Sequence, residues 1–568
     1  VDLFRDFEAV HRQNAAVALQ YHNRTKHYFH RFAASLGYLD WANQPNPYRY
    51  YHGTEAFLLP FSQEHKRARF DAVYGKAETS PAPLSVSALS HFLEVSLGLS
   101  AIKEYRGNRW ALRCNPSSGN LHPTEAYLVC PPMSELVDAP TLYHYMPQEH
   151  ALAIRALFPE AMLHALFPQK YAPLFYVGLA SLHWREAWKY GERAYRYCQL
   201  DVGHAIAALA ASAALLGWTM SPVLNVTADD IEALLCLTRD AIAGEEEHAI
   251  GLWGVFPQGG VLKEFALKVP LVREAGEIQV KGKPNRVSRE HVRWEAIEQV
   301  AAACRQEKVV NGRRNTTSNL ELIETPQNTL PLHPNVSARD ILLRRRSALA
   351  MDGHTPMSPQ VFFCLLEHLQ PAYGGPLWQA LVKPFHVSLV LMIHRVEGLP
   401  PGVYALLRHP AHIEEWRTIF RKDFEWSAPA VSCAPRHLYC LQRGYMRSLA
   451  ETLACQQEIA ADGCFSVALL ASMKPLYEEG AFWYPRLHWE AGLLGHILYL
   501  EAEAHGFRGT GIGCYFDDPT HEILGIGDAS WQCLYQFTVG KPIEDPRLRA
   551  EAPYSSERYK QNLNRIKL

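Results

Sequence analysis

The sequence predicts a mixed helix-and-strand fold made of two related units in tandem, and three observations lead there. The first is an order of elements that occurs twice. TEAYLVC (Thr124–Cys130) and LFYVGLAS (Leu174–Ser181) have the aromatic and β-branched character of strands, and the proline-free run from Trp184 to Leu216 reads as a long helix. Downstream, HVSLVLMIH (His386–His394) and CFSVALLAS (Cys464–Ser472) read as strands, and Leu487 to His505 as another long helix. The second is a gap-free alignment of His122–Tyr145 with Lys383–Leu406, which pairs Pro123 with Pro384 and Tyr143 with Tyr404. The third is a Gly-His pair in the middle of each long helix, Gly203-His204 and Gly495-His496. Each helix then runs to a glycine, Gly217 or Gly506, about one helical turn sooner in the second copy.

A chain of 568 residues exceeds what one hydrophobic core organises, so at least two domains are expected. Residues 1–60 start with helix-compatible periodicity and then break into LDWANQPNPYRYYHG (Leu39–Gly53), an extended wrapping segment. The first unit takes residues 61–273. A polar connection follows over 274–340, with NGRRNTTSN (Asn311–Asn319), TPQNTLPLHPN (Thr325–Asn335) and one helix-like stretch near His291–Gln306. The second unit takes 341–568.

Composition narrows the function classes. With 48% hydrophobic and 20% charged residues the chain reads as a folded globular enzyme. A net charge of -2 implies no global attraction to nucleic acid or anionic lipid. The longest apolar run, Ala205–Trp218, is shorter than the roughly 20 residues of a membrane span and is expected to be a buried helix. The opening residues, VDLFRDFEAVHRQN, do not read as a secretory signal, so a cytoplasmic location is expected. The 12 cysteines are scattered without a CxxC pair and read as reduced thiols. Despite 27 histidines there is no HExxH and no Cys/His ladder, so no metal is assigned.

Three strings carry candidate chemistry. NPSSGNLHP (Asn115–Pro123) precedes a strand; its small residues let backbone amides approach a planar ligand, and Ser117, Ser118 and Asn120 offer hydrogen bonds. The same residues are ordinary turn formers. LLRRRSALAMDG (Leu342–Gly353) is a helix-like stretch whose arginines suit a phosphate or flavin carbonyls, against the default of a solvated basic face. GTGIGCYFDDP (Gly509–Pro519) is read as a glycine-rich loop after the long helix and, lacking a preceding strand, is not a dinucleotide fingerprint.

Together with YHNRTKH (Tyr21–His27), WKYGERAYRYC (Trp188–Cys198) and TVGKPIEDPRL (Thr538–Leu548), these strings resemble the nitroreductase superfamily, and within it the SagB-type thiazole- and oxazole-forming dehydrogenases. The resemblance covers most of the chain. It implies an α+β fold with an antiparallel-dominated sheet among helices, a homodimeric arrangement supplied here as an intrachain pseudo-dimer, and FMN at the interface. By motif, Arg345, Arg346 and Ser347 would hold the flavin and its phosphate end, and Gly511, Ile512 and Gly513 would line the ring. Pro116, Ser117, Ser118 and Asn120 would come from the other side. Where many relatives carry a basic residue two positions after the serine this chain has Leu349, which shifts phosphate binding toward Arg547 or Lys541.

The alignment sharpens this into one site. It puts Leu377, Trp378, Gln379 and Leu381 where the first copy has Pro116, Ser117, Ser118 and Asn120. Conversely, the first copy has DAVYGKAETSPAP (Asp71–Pro83) instead of the arginine-serine string and GWTMSPV (Gly217–Val223) instead of the glycine string. One complete FMN site is therefore expected.

Lys189-Tyr190 matches a pair that resembles the catalytic pair of azoline dehydrogenases, with Arg193 as a cationic neighbour able to lower a lysine's proton affinity. The bland alternative is a solvated lysine and an interface tyrosine, with Arg193 and Arg196 as helix-surface charges. The leading expectation is an FMN-dependent dehydrogenase or oxidase acting on a small heterocyclic substrate. The competing ones are an NAD(P)H-driven nitro or quinone reductase and a non-catalytic scaffold. NAD(P)H or oxygen would be the redox partner, and either a monomer or further self-association fits a built-in pair.

Overall fold

The computed structural model describes residues 2–61, 68–75, 79–168, 172–258, 278–306, 335–371, 375–431, 434–435 and 437–554. The polar strings at 311–319 and 325–334 lie outside the described residues. Two antiparallel sheets dominate. The order in the first is Ala151–Leu157, Thr141–Met146, Thr124–Cys130, Phe175–Ser181, His248–Pro257, Trp218–Pro222, with Gln279–Val280 and Ala56–Leu58 both pairing with Ala151–Leu157. The second runs Leu438–Arg443, Gly402–Leu406, Val387–Ile393, Phe465–Ser472, Trp531–Gly540, Arg508–Ile512. Numbered by their place in the chain, the six shared strands follow the same order in both sheets. The fold is α+β.

The strands form where the β-branched and aromatic runs are, and both faces are buried. Thr124–Cys130, Phe175–Ser181, Val387–Ile393 and Phe465–Ser472 contain no exposed residue, which is why these runs are apolar rather than alternating. The long helices Ala194–Leu215 and Trp483–Ala504 lie between the sheets and are buried along their whole lengths. They cross where each has a glycine. A Cβ on Gly203 would stand 2.3 Å from the carbonyl oxygen of Trp489, and one on Gly492 2.3 Å from that of Leu200. His204 and His496, paired by the sequence alignment, meet at the crossing with ring centroids 5.8 Å apart. The stretch apolar enough to cross a membrane, Trp184–Leu215, is fully buried in this core.

Three local expectations are corrected. Trp184–Leu216 is not one helix: Trp184–Tyr190 ends at Gly191, whose φ of 56° starts a short 3-10 turn before Ala194–Leu215. The cause is tertiary, since a Cβ on Gly191 would sit 2.2 Å from the Ala34 carbonyl oxygen, where the N-terminal segment crosses. The arginine string is helical only as far as Arg344. The helix is Ala338–Arg344, capped by the Ser337 side chain, and Arg345 leaves it with ψ of 127°. Finally, the glycine string opens as the edge strand Arg508–Ile512, held by pairing of Gly511 with Phe537 that local propensity does not reveal.

Candidate active site

The serine loop is a 3-10 turn, Ser118–Asn120, at the mouth of the strand Thr124–Cys130. Gly119 and Asn120 are both left-handed, with φ of 61° and 60°, a conformation glycine and asparagine tolerate. Asn120 spends its side chain on the loop itself: Nδ2 donates to the Ala111 carbonyl at 2.9 Å, and Oδ1 meets His122 Nε2 at 2.9 Å. Ser117 Oγ accepts from the His122 N–H at 2.8 Å, and Ser118 N–H donates to Asp201 at 3.1 Å. Pro116, Ser117, Ser118 and Asn120 stay half-buried and Gly119 is exposed, so the loop forms an accessible rim on a buried core.

Beneath the loop lie two carboxyls, Glu186 and Asp201, both buried. Burial pushes the Asp201 carboxyl up to about 7 against the pull of its hydrogen bonds from Ser117 and Ser118. Glu186 is raised well above the carboxylate range by burial and by Asp201. The two hold a proton that separate carboxylates would release. A carboxyl whose folded pKa lies above its unfolded value of ~3.9 stabilises the fold most when protonated, so this contribution falls as pH rises from about 4 to about 7. Asp201→Asn is expected to flatten that slope in urea denaturation across the same window; a variant with the wild-type slope would contradict the assignment.

Lys189 and Tyr190 end the helix Trp184–Tyr190 and stand against the same loop. A Cβ on Gly119 would lie 2.8 Å from the Tyr190 hydroxyl and 3.2 Å from Lys189 Nζ. Tyr190 also packs on Tyr197, ring centroids 4.6 Å apart, and Tyr197 donates to the Gly513 carbonyl at 3.1 Å. Burial, then Glu186, raises the Tyr190 phenol well above its usual value, so it holds its proton at neutral pH. Arg193 is not committed to Lys189. It and Arg196 are buried, not surface charges, and both pair with the buried Asp517 at 2.9 and 2.8 Å.

On the opposite side, Arg345 Nε and Nη2 donate to the Cys114 and Arg113 carbonyls at 2.9 and 3.0 Å, tying the second unit to the strand that feeds the serine loop. Arg346 reaches Ser100 Oγ at 3.0 Å and its carbonyl at 2.8 Å. Neither guanidinium has a carboxylate partner among the described ion pairs. Burial lowers both, and burial together with Arg345 brings Arg346 down to about 10. Lys103 is lowered too, by burial and then by Arg346. Such a desolvated cationic corner is suited to an anion such as a phosphate. Ser347 Oγ meets the Tyr499 hydroxyl at 2.8 Å, which accepts from the Gly511 N–H at 2.9 Å. A side chain at Gly511 or Gly513 would strike Tyr535 or Tyr197, whereas Ile512 between them faces the core of the second sheet.

The serine loop, Lys189-Tyr190, the Arg345–Ser347 segment and the Gly511–Gly513 edge are thus linked through shared partners. Residues 80–250 match the family model described as the nitroreductase family. This part of the chain is similar to the nitroreductase family. Over 93% of its length the chain is also similar in fold to a structure from Anabaena variabilis ATCC 29413 provisionally described as a nitroreductase, with a TM-score of 0.65, 22% identity and 99% of that chain covered. A chain of the E. coli microcin synthetase McbBCD complex overlaps 43% of this chain and 92% of its own length, at 16% identity and a TM-score of 0.25. No curated protein matches.

Around the serine loop the structure adds residues the sequence did not single out. Glu186 and Asp201, the hydroxyl relay of Tyr499, and the Ser100–Lys103 edge come together only in three dimensions; the i and i+15 spacing of the carboxyls carries no signal across a helix break. Arg547 lies at the end of the strand Leu99–Tyr105 that carries Ser100 and Lys103. It is exposed, pairs with Asp545 at 2.8 Å and lies 5.7 Å from the Tyr105 ring. Lys541 Nζ donates to the Gly506 carbonyl.

Proposed function

We propose that the chain is a flavin-dependent oxidoreductase of the nitroreductase type, in which two α+β units act as an intrachain pseudo-dimer sharing one FMN. The observation that carries this reading is the cluster assembled from both units, with polar loop, desolvated arginines and glycine edge joined by hydrogen bonds and shared partners. In it Arg346, with Lys103 beside it, would take the phosphate, Arg345 would hold the loop in register, and Gly511 and Gly513 would let Tyr535 and Tyr197 pack flat against the edge that lines the ring. FMN, when bound, supplies hydride transfer at its N5 position.

The counterpart cleft supports a single site. Its cavity is about 90 Å³ and is lined by Phe482, Trp489, Val382 and Val223 together with His183, Gln199 and Arg486, whereas cofactor pockets run to roughly 300–1,000 Å³. Leu377, Trp378 and Leu381 are buried there, and the Arg408 guanidinium stacks 4.8 Å from the Trp378 ring. Apolar bulk thus takes the place of the serine loop.

For the direction of electron flow, the family match favours NAD(P)H-driven reduction of nitro- or quinone-like acceptors. In that chemistry the chain positions the acceptor and excludes water, and the Tyr190 phenol is a proton donor at the rim. The contact of Lys189 with Gly119 favours a second reading, SagB-type dehydrogenation of a heterocycle with the lysine removing a proton. Lys189→Ala separates them. Reduction of every acceptor by NAD(P)H is expected to survive with flavin retained. A loss of about 10²–10⁴-fold in turnover with flavin still bound would assign Lys189 as a general base and favour dehydrogenation.

A further inference from the structure

Next to the glycine edge, two cysteines that the flavin reading does not use come together. Cys514 follows Gly513, Cys455 lies just beyond the helix Arg447–Leu453, and their Sγ atoms are 2.7 Å apart. Both are half-buried, unlike the other described cysteines, which are buried. Hydrogen bonds flank the pair on both sides. Phe516 N–H donates to the Leu453 carbonyl at 2.8 Å, and Gln457 Nε2 bridges the Cys514 and Ala454 carbonyls at 2.9 and 2.6 Å. Cys455 and Gln456 both adopt left-handed backbone, φ 52° and 61°. Non-glycine residues hold that conformation only where their surroundings impose it, and here it keeps Cys455 facing Cys514. His27 Nδ1 lies 3.7 Å from Cys514 Sγ.

We propose that Cys455 and Cys514 are a redox-active dithiol that closes reversibly to a disulfide by exchange with a small disulfide of the glutathione class. The inference rests on the two thiols and stands whether or not flavin binds. Cys514 Sγ, as thiolate, attacks one sulfur of the external disulfide RSSR; that S–S bond breaks, a Cys514–SR bond forms, and RS⁻ leaves and takes a proton. Cys455 then gives up its proton and attacks Cys514 Sγ, expelling the second RS⁻, which is protonated in turn. Two protein thiols lose two electrons, RSSR gains them, and two RSH are released.

The hydrogen bond from Cys455, with His27 and Arg193 nearby, holds the Cys514 thiol well below its usual range despite burial. This makes it the attacking group. His27, Cys455 and Cys514 also form a potential metal-ligand set. Two thiolates on one tetrahedral zinc with Zn–S bonds of about 2.3 Å stand well over 3 Å apart, so the observed spacing suits a disulfide better.

The test uses the full chain as purified, reduced, freed of reductant, equilibrated with oxidised glutathione, alkylated and mapped by peptide mass spectrometry. Cys455 and Cys514 are expected to lose alkylation together and to appear as one cross-linked peptide pair without retained glutathione. In Cys455→Ser, Cys514 is expected to keep a glutathione adduct. The wild-type map alone decides the proposal if that variant fails to fold. Full alkylation of both thiols in excess oxidised glutathione would overturn it, as would a stable wild-type glutathione adduct without the cross-link, or one tightly held zinc per chain protecting both.

Discussion

Asp517→Ala is expected to destabilise the protein by about 3–5 kcal/mol, the cost of removing one partner from a buried ion-pair group. Asp517 is fully buried, receives Arg193 and Arg196 at 2.9 and 2.8 Å, and accepts the His27 N–H at 2.9 Å. One carboxylate thereby ties a helix of the second unit to the long helix of the first and to the N-terminal segment. Its removal leaves two guanidiniums desolvated and uncompensated. The two arginines hold the Asp517 carboxyl far below the carboxylate range against the opposing effect of burial. The sign of the pH dependence follows. A carboxyl depressed in the folded state contributes its full stability above the unfolded value of ~3.9, and loses it as pH falls below that toward the folded value. Urea midpoints at neutral pH and through the acid range check both statements. A variant within about 1 kcal/mol of wild type at pH 7 would contradict the role given to Asp517.

Arg345→Met should weaken FMN binding by about 100-fold, because two charged-donor hydrogen bonds, each worth ~1.5–3 kcal/mol, are lost from the strand end that feeds the serine loop. Arg345→Lys should recover little, since an ammonium cannot span the Arg113 and Cys114 carbonyls as the guanidinium fork does. Flavin fluorescence titration of apoprotein measures the effect. Unchanged affinity in the Met variant would contradict the claim that Arg345 sets the loop.

The apolar strands were legible in the sequence because burial of both faces leaves continuous β-branched and aromatic runs, as in Val387–Ile393. The shared strand order was foreshadowed because His204 and His496 each fall in the middle part of a long buried helix, and the two helices meet there. What was hidden depends on distant partners. Gly191 breaks a helix because the Ala34 carbonyl crosses it, Arg193 and Arg196 are internal because Asp517 arrives from more than 300 residues away, and the glycine string is a strand because Trp531–Gly540 pairs with it. In the site, the serine loop and Lys189-Tyr190 were visible as motifs. The Glu186–Asp201 pair was not, since each residue alone reads as an ordinary helix charge.

A single flavin site built from two units is tested by the FMN released per chain, counted from its visible absorption after denaturation and, for protein that emerges empty, after reconstitution. One FMN per chain is the predicted result. Two per chain would mean that the cleft behind Trp378 and Trp489 still binds cofactor, and none after reconstitution would contradict the flavin reading itself.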